Sequence, residues 1–193
     1  GISMLSLFDN NRDLDEMTVY ILSQGIDFGN TQKLCAIAEQ FKRKLIFIDV
    51  SEFQKLIPFT FHTSGFNTIV LSRLFLCRYL PEEVERVLYL DCDIIVNASV
   101  GELDKIDFRH NYVAAVPELY MPADKKALIG FAPDETYYNA GVLLVNLSVW
   151  RSLDLETVFM DYYSSMNGQL LYNDQDIINY CCKGKILTLN HNY

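Results

Sequence analysis

Two aspartates one residue apart, Asp91 and Asp93, sit in the segment Tyr89 to Val96 (YLDCDIIV), where an apolar run breaks. Two carboxylates this close cannot both be buried unpaired, because desolvating their charges costs too much. In a turn they can converge on one hard divalent cation. Mg²⁺ and Mn²⁺ take oxygen ligands in an octahedron and keep positions for water and phosphate oxygens, which a nucleoside diphosphate supplies. The competing reading is a solvated turn whose aspartates cap a helix.

Three further segments carry polar groups that could do chemistry. In Tyr137 to Leu147 (YYNAGVLLVNL), Asn139 precedes the small residues Ala140 and Gly141 and then a strand. Small residues let a ligand approach the backbone, and an amide suits sugar hydroxyls; a strand start with a polar cap explains the pattern as well. In Tyr172 to Asn179 (YNDQDIIN), Asp174 and Asp176 open a helix, where the dipole and free N–H groups favour carboxylates. Capping accounts for at least one of them, and Asp174 with Gln175 can instead face a sugar. Arg73, beside Ser72, lies among Leu71, Leu74, Phe75 and Leu76. An arginine so placed snorkels or pairs with a carboxylate or diphosphate. His62, His110 and His191 lack metal-ligand spacing to one another. No glycine-rich phosphate loop, nucleophile elbow or HExxH helix is found.

These residues need elements to hold them. Apolar and β-branched runs predict strands at Met17 to Leu22, Lys44 to Val50, Arg86 to Leu90 (resumed at Ile94 to Val96), Tyr112 to Val116, Gly141 to Val145 and Lys185 to Leu189. Helical spacing predicts helices at Phe28 to Lys42, Thr68 to Leu80 (ended by Pro81), Val100 to Ile106, Val149 to Met166 and Asp174 to Cys182. Gly1 to Phe8 reads as the second half of an amphipathic helix, and Glu118 to Thr136 as a loop with a short helix. Strands alternate with helices, so the expected fold is α/β, a single nucleotide-binding-like domain. A mostly parallel central sheet would be covered by helices on both faces. Such sheets place ligands beyond the carboxyl ends of their strands.

The bulk numbers narrow the function. With 193 residues and 50% hydrophobic content, the chain can bury a core. A net charge of −9 excludes a face that tracks nucleic acid, which must be basic. Five cysteines at spacings that fit neither a disulfide framework nor a zinc site point to a reducing, cytoplasmic setting. No apolar run is long enough to span a bilayer. Asn97-Ala98-Ser99 and Asn146-Leu147-Ser148 match the N-glycosylation pattern but flank predicted strands, and are discounted.

Taken in order, Arg73, the Asp91/Asp93 pair, Asn139-Ala140-Gly141 and Asp174-Gln175 resemble glycosyltransferase family 8. That family includes bacterial lipopolysaccharide glucosyl- and galactosyltransferases and the glycogenins. The likeness runs from the strand at Met17 to that at Leu187, and its spacing is similar to the bacterial branch. The resemblance implies a GT-A fold and transfer of a hexose, glucose or galactose, from UDP-glucose or UDP-galactose with retention of configuration. The acceptor would be a glycan, a lipid-linked sugar or a protein. It implies that Asp91 and Asp93 hold Mn²⁺ (or Mg²⁺), with Asp91 also near the ribose. Arg73, Asn139, Ala140, Asp174 and Gln175 would surround the donor sugar and its phosphates. Glu118, closing Tyr112 to Glu118 (YVAAVPE), falls where many relatives have an aspartate near the acceptor or sugar.

By the same resemblance, residues 1–193 are expected to be most of a catalytic domain. A first strand would precede Gly1. A third metal ligand, a histidine that His191 does not match, would follow Tyr193, in a segment through which the protein could touch the inner face of the membrane. Two other functions fit parts of the pattern. In a haloacid-dehalogenase-type phosphatase, Asp91 would attack phosphorus and Asp93 would protonate the leaving group, although Ile95 stands where that motif has Thr or Val. A sugar-nucleotide-binding domain without catalysis is the non-enzyme alternative.

Overall fold

The computed structural model describes residues 1–190. Its helices and strands, in chain order, are α1 (Ile2–Asp9), β1 (Thr18–Ser23), α2 (Phe28–Gln40), β2 (Lys44–Asp49), α3 (Leu76–Tyr79), β3 (Arg86–Leu90), α4 (Gly101–Asp104), β4 (Val113–Pro117), α5 (Ala123–Leu128), β5 (Tyr138–Asn146), α6 (Leu147–Ser152), α7 (Leu155–Ser165), α8 (Asp174–Cys181) and β6 (Ile186–Thr188). Short 3₁₀ helices cover Phe53–Leu56 and Thr68–Phe75. The chain divides into two compact units, Gly1–Gln54 with Leu90–Asp107, and Lys55–Tyr89 with Phe108–Tyr193.

In the first unit β1 and β2 pair in parallel, Thr18 against Lys44 through Ser23 against Asp49. Asp27 caps α2 by accepting a hydrogen bond from the Asn30 N–H at 3.0 Å. Met4, Phe8 and Ala38 form the core, packed against Leu7, Val19, Ile21, Leu34 and Leu45. The expected continuation of β3 at Ile94 to Val96 is not a strand. The backbone of Val96 is satisfied instead by side chains of the first helix and its C-cap: the Val96 N–H donates to Ser6 Oγ at 3.0 Å, and Asn10 Nδ2 donates to the Val96 carbonyl at 2.9 Å. Buried Asn11 continues the seam, accepting from Val100 N–H at 2.7 Å and from Ser99 Oγ at 3.1 Å.

The second unit holds a four-stranded sheet in the order β3-β5-β4-β6. β4 runs antiparallel to β5 and parallel to β6. Its largest fully buried side chains include Trp150, Tyr163, Phe75 and Phe159. Trp150 meets Phe159 edge-on at 5.0 Å and donates from Nε1 to the Tyr112 carbonyl at 2.9 Å. Arg151 gathers the loop before β3, donating to the carbonyls of Val84 and Pro81 at 2.8 Å each.

Three expectations change here. The helix at Thr68 to Leu80 is 3₁₀ up to Phe75 and α only from Leu76. Its opening run of Thr68, Ile69 and Val70 is β-branched and crowds an α-helical turn. Val149 to Met166 is two helices, because Asp154 adopts a left-handed conformation (φ 46°) between them. β5 starts at Tyr138, so Asn139 and Ala140 lie within a strand rather than before one.

Candidate active site

The start of β5 is paired with side chains of α8 along one edge. Tyr138 N–H donates to Asn179 Oδ1 at 2.7 Å, and Asn179 Nδ2 donates back to the Tyr138 carbonyl at 2.8 Å. Two residues on, Ala140 N–H donates to Gln175 Oε1 at 2.9 Å. Gln175 and Asn179 stand one above the other on α8, about 6 Å apart along its axis. Alternate residues of a strand are about 6.6 Å apart, so the helix face matches the strand edge. Thus a helix supplies the partners that a neighbouring strand would otherwise supply.

Arg73 completes this arrangement. It is 4% exposed and donates from Nη1 to the Ala140 carbonyl at 2.6 Å. Its Nε lies 3.1 Å from Asp174 Oδ2, and its guanidinium lies 4.3 Å above the Tyr89 ring. A buried ion pair persists only where hydrogen bonds satisfy the remaining donors, and the Ala140 carbonyl is one such acceptor. Arg73, Ala140, Asp174 and Gln175, separated by up to about a hundred residues in the chain, are therefore in direct contact or one bond removed.

Asn139 points to the solvent side. Its Nδ2 donates to Glu118 Oε2 at 2.9 Å, and its Oδ1 accepts from Gly141 N–H at 2.7 Å. Glu118 is further oriented by the Leu119 N–H, which donates to its other oxygen at 3.1 Å. The structure therefore gathers the expected residues of this unit into two adjoining sets, Arg73–Asp174–Ala140–Gln175 and Asn139–Glu118.

The N-terminus of α8 departs from simple capping. Asp174 pairs with Arg73 instead of capping, and Asp176 reaches back to accept from Tyr172 N–H at 2.8 Å and from the Tyr137 hydroxyl at 2.6 Å. Burial raises the Asp176 pKa against the pull of these donors and pushes the Tyr137 hydroxyl up as well. The residue before the helix, Asn173, is 1% exposed and has φ 45° and ψ −112°. That conformation suits glycine and costs another residue about 1–3 kcal/mol. Asn173, Asp176, Tyr137 and Asn179 were not among the expected site residues. Two of them left a trace in the sequence, Asp176 as a carboxylate opening the helix and Asn179 as a polar residue four places after Gln175, beside Ile177 and Ile178.

Asp91 and Asp93 belong to the first unit. The chain leaves β3 at Leu90 and turns, with the Ile94 N–H donating to the Asp91 carbonyl at 3.2 Å. Asp91 is half-buried and Asp93 exposed, as is Cys92 between them. Among the described residues no group of three histidine, cysteine or acidic side chains is placed to hold a metal. Two hard carboxylates on a turn fit an ion such as Mn²⁺ or Mg²⁺, whose remaining positions go to water and phosphate oxygens. His191 lies outside the described residues, and no described helix is long and apolar enough to cross a membrane.

Known proteins give this geometry its context. The chain is 30% identical over its whole length to a putative glycosyltransferase of Haemophilus influenzae and to a lipopolysaccharide 1,2-glucosyltransferase of Escherichia coli. It covers 58% of each, so it spans little more than half the length of the curated relatives it matches. Among solved structures it is similar to the galactosyltransferase LgtC in complex with donor and acceptor sugar analogs. The TM-score is 0.86 at 29% identity, over 98% of this chain and 68% of that one. The profile of Glycosyl transferase family 8 matches residues 1–193. This chain, with its GT-A fold, belongs to glycosyl transferase family 8.

Proposed function

We propose that the chain is the donor-binding part of a metal-dependent, retaining hexosyltransferase that moves glucose or galactose from a UDP-sugar to a glycan acceptor. The observation that carries this reading is the buried cluster in which Arg73 holds Asp174 and the Ala140 carbonyl while Gln175 holds the Ala140 N–H. It presents a cation, a carboxylate and an amide on fixed backbone, the groups that grip sugar hydroxyls and phosphates. The named relatives include a lipopolysaccharide glucosyltransferase and a lipopolysaccharide 1,3-galactosyltransferase of Salmonella typhimurium, which supports a hexose as the transferred group.

Breaking a sugar–phosphate bond builds negative charge on the departing diphosphate and positive charge at the anomeric carbon. A Mn²⁺ ion held by Asp91 and Asp93 would neutralise the diphosphate charge, a contribution of several kcal/mol. Asp174 and Gln175 orient the sugar. Glu118, aimed by Asn139, stands as the second carboxylate, placed to stabilise the anomeric carbon or position the acceptor hydroxyl. The acceptor is assigned to the cavity of about 570 Å³ beside α5, whose lining includes Met121, Lys125, Leu128, His62 and Gln169. That volume lies in the range of small-ligand sites.

The test is a screen of UDP-sugars with Mn²⁺ on the full-length protein, reading released UDP, together with Asp93→Asn. The substitution keeps size and hydrogen bonding but removes the charge that a divalent cation needs. Turnover should fall by about a hundredfold or more, as when a main electrostatic stabiliser is lost. Near-normal turnover in the variant would remove the metal assignment. Absence of turnover in the wild type with every UDP-sugar, despite binding, would favour a sugar-nucleotide-binding domain without catalysis.

A further inference from the structure

The turn Thr63–Phe66 and the segment leading into α8 are fastened to each other. Ser64 and Gly65 both have positive φ, 51° and 90°, and the Phe66 N–H donates to the Thr63 carbonyl at 2.9 Å to close the turn. His62 N–H donates to the Gly168 carbonyl at 2.8 Å, and Ser64 Oγ donates to the Leu170 carbonyl at 3.3 Å. Asn173 adds the last link, its Nδ2 donating to the second lone pair of the Thr63 carbonyl at 3.1 Å. Its Oδ1 has no protein partner and is buried.

This link closes a ring. From Thr63 the chain runs through the 3₁₀ helix to Arg73, across the ion pair to Asp174, back one residue to Asn173, and so to Thr63 again. The ion pair and the Asn173 tether are the two side-chain crossings that close this circuit. Asn173 also sets the direction of the next two residues, since its φ of 45° and ψ of −112° are where the chain enters α8. Glycine would adopt that conformation without strain, and no N–H of α8 is capped by the Asn173 side chain. The residue's geometry therefore serves neither helix capping nor backbone ease.

We propose that Asn173 is a positioning residue for sugar transfer: its tether to Thr63 holds Asp174 and Gln175 at a fixed angle to Arg73. The proposal rests on the donor-site reading given above. The side chain acts through Asp174 and Gln175 and touches no reacting atom.

Asn173→Gly keeps the backbone conformation accessible and removes the tether. Asn173→Asp keeps the size but sets a carboxylate against the Thr63 carbonyl, so it too loses the donor. In the full-length protein both variants should lower kcat by about tenfold, since small misplacements of reacting groups are expensive. KM for the UDP-sugar should change by less than about twofold, because the grip on the ground state survives. The melting temperature of the glycine variant should equal or exceed that of the wild type, as strain is relieved. Amide exchange at Ser64 to Phe66 and at Gln175 should speed by about tenfold without global destabilisation.

A merely structural role predicts the reverse, with kcat in the glycine variant near wild type, or falling only where melting temperature falls. Either result overturns the proposal, as does unchanged exchange at Gln175. Exchange is read without substrate. A wild type that turns over no UDP-sugar would therefore count against the donor reading, while the tether is still decided by exchange.

Discussion

The cluster at α8 and the turn at Asp91 solve opposite problems. Around α8, Arg73 and Asp174 are almost fully buried, and the backbone at Tyr138 and Ala140 is held by named side chains. At the turn, Asp93 is exposed and, among the described residues, makes no hydrogen bond or ion pair. The first region is organised by its own contacts and should be rigid before a ligand arrives. In the second, Asp93 keeps its charge open to solvent, as the proposed role of a cation ligand asks. Binding groups for a sugar gain from preorganisation, whereas ligands for a hard, hydrated ion need reach and charge more than packing.

Arg73→Met should break the first region most severely. It leaves the Asp174 carboxylate buried without its cation and should cost about 3–5 kcal/mol in urea unfolding. A loss under about 1 kcal/mol would mean that Asp174 finds water or another partner, and that the cluster is less closed than its burial indicates.

Gly168→Ala should come next. A Cβ there would lie 2.3 Å from the Thr60 carbonyl oxygen and 2.7 Å from Phe61 Cα, at φ +64°. Neither atom belongs to a flexible side chain, so the turn before the 3₁₀ helix must shift, at about 1–3 kcal/mol. Calorimetric melting of the variant checks this.

Asp176 supplies a smaller effect, visible as a slope. Burial raises its pKa in the folded state above the ordinary 3.8, so the folded chain binds this proton more tightly than the unfolded chain. The stability contributed by this group is full below the unfolded value and declines as pH rises through the folded one. Asp176→Asn should remove that decline. Unfolding curves of the two proteins should differ in slope across this window and run parallel well above it.

The smallest effect is expected at the acidic turn. Asp93→Asn should change metal-free stability by less than about 0.5 kcal/mol, since it touches no packed feature. A large loss of stability would give Asp93 a structural role and end the contrast.

Much of this division was legible before any coordinates. β3 matches its expected bounds, and α2 and β2 nearly so, because each is a continuous pattern bounded by turn or capping residues. Where the reading failed, the deciding partner was remote. Ile94 to Val96 has strand composition, but the backbone bonds of Val96 go to Ser6 and Asn10, some ninety residues earlier, and the Ile94 N–H closes a turn on Asp91. The break at Asp154 was hidden because aspartate is tolerated inside a helical pattern as well as at positive φ. Arg73 stood out among apolar neighbours, and Asp174 with Gln175 stood out at the start of a helix. Their mutual contacts, and the use of Gln175 and Asn179 as partners for a strand edge, depend on tertiary packing that no local period encodes.

Trp150 has a practical consequence. It is the chain's one tryptophan, locked between Phe159 and the Tyr112 carbonyl in the unit of Lys55–Tyr89 and Phe108–Tyr193. Indole emission is thus a private reporter of that unit, while far-ultraviolet circular dichroism sums the helices of both. If heating brings the two signals through one midpoint, the units melt as a single cooperative body; if the emission lags or leads, they melt separately.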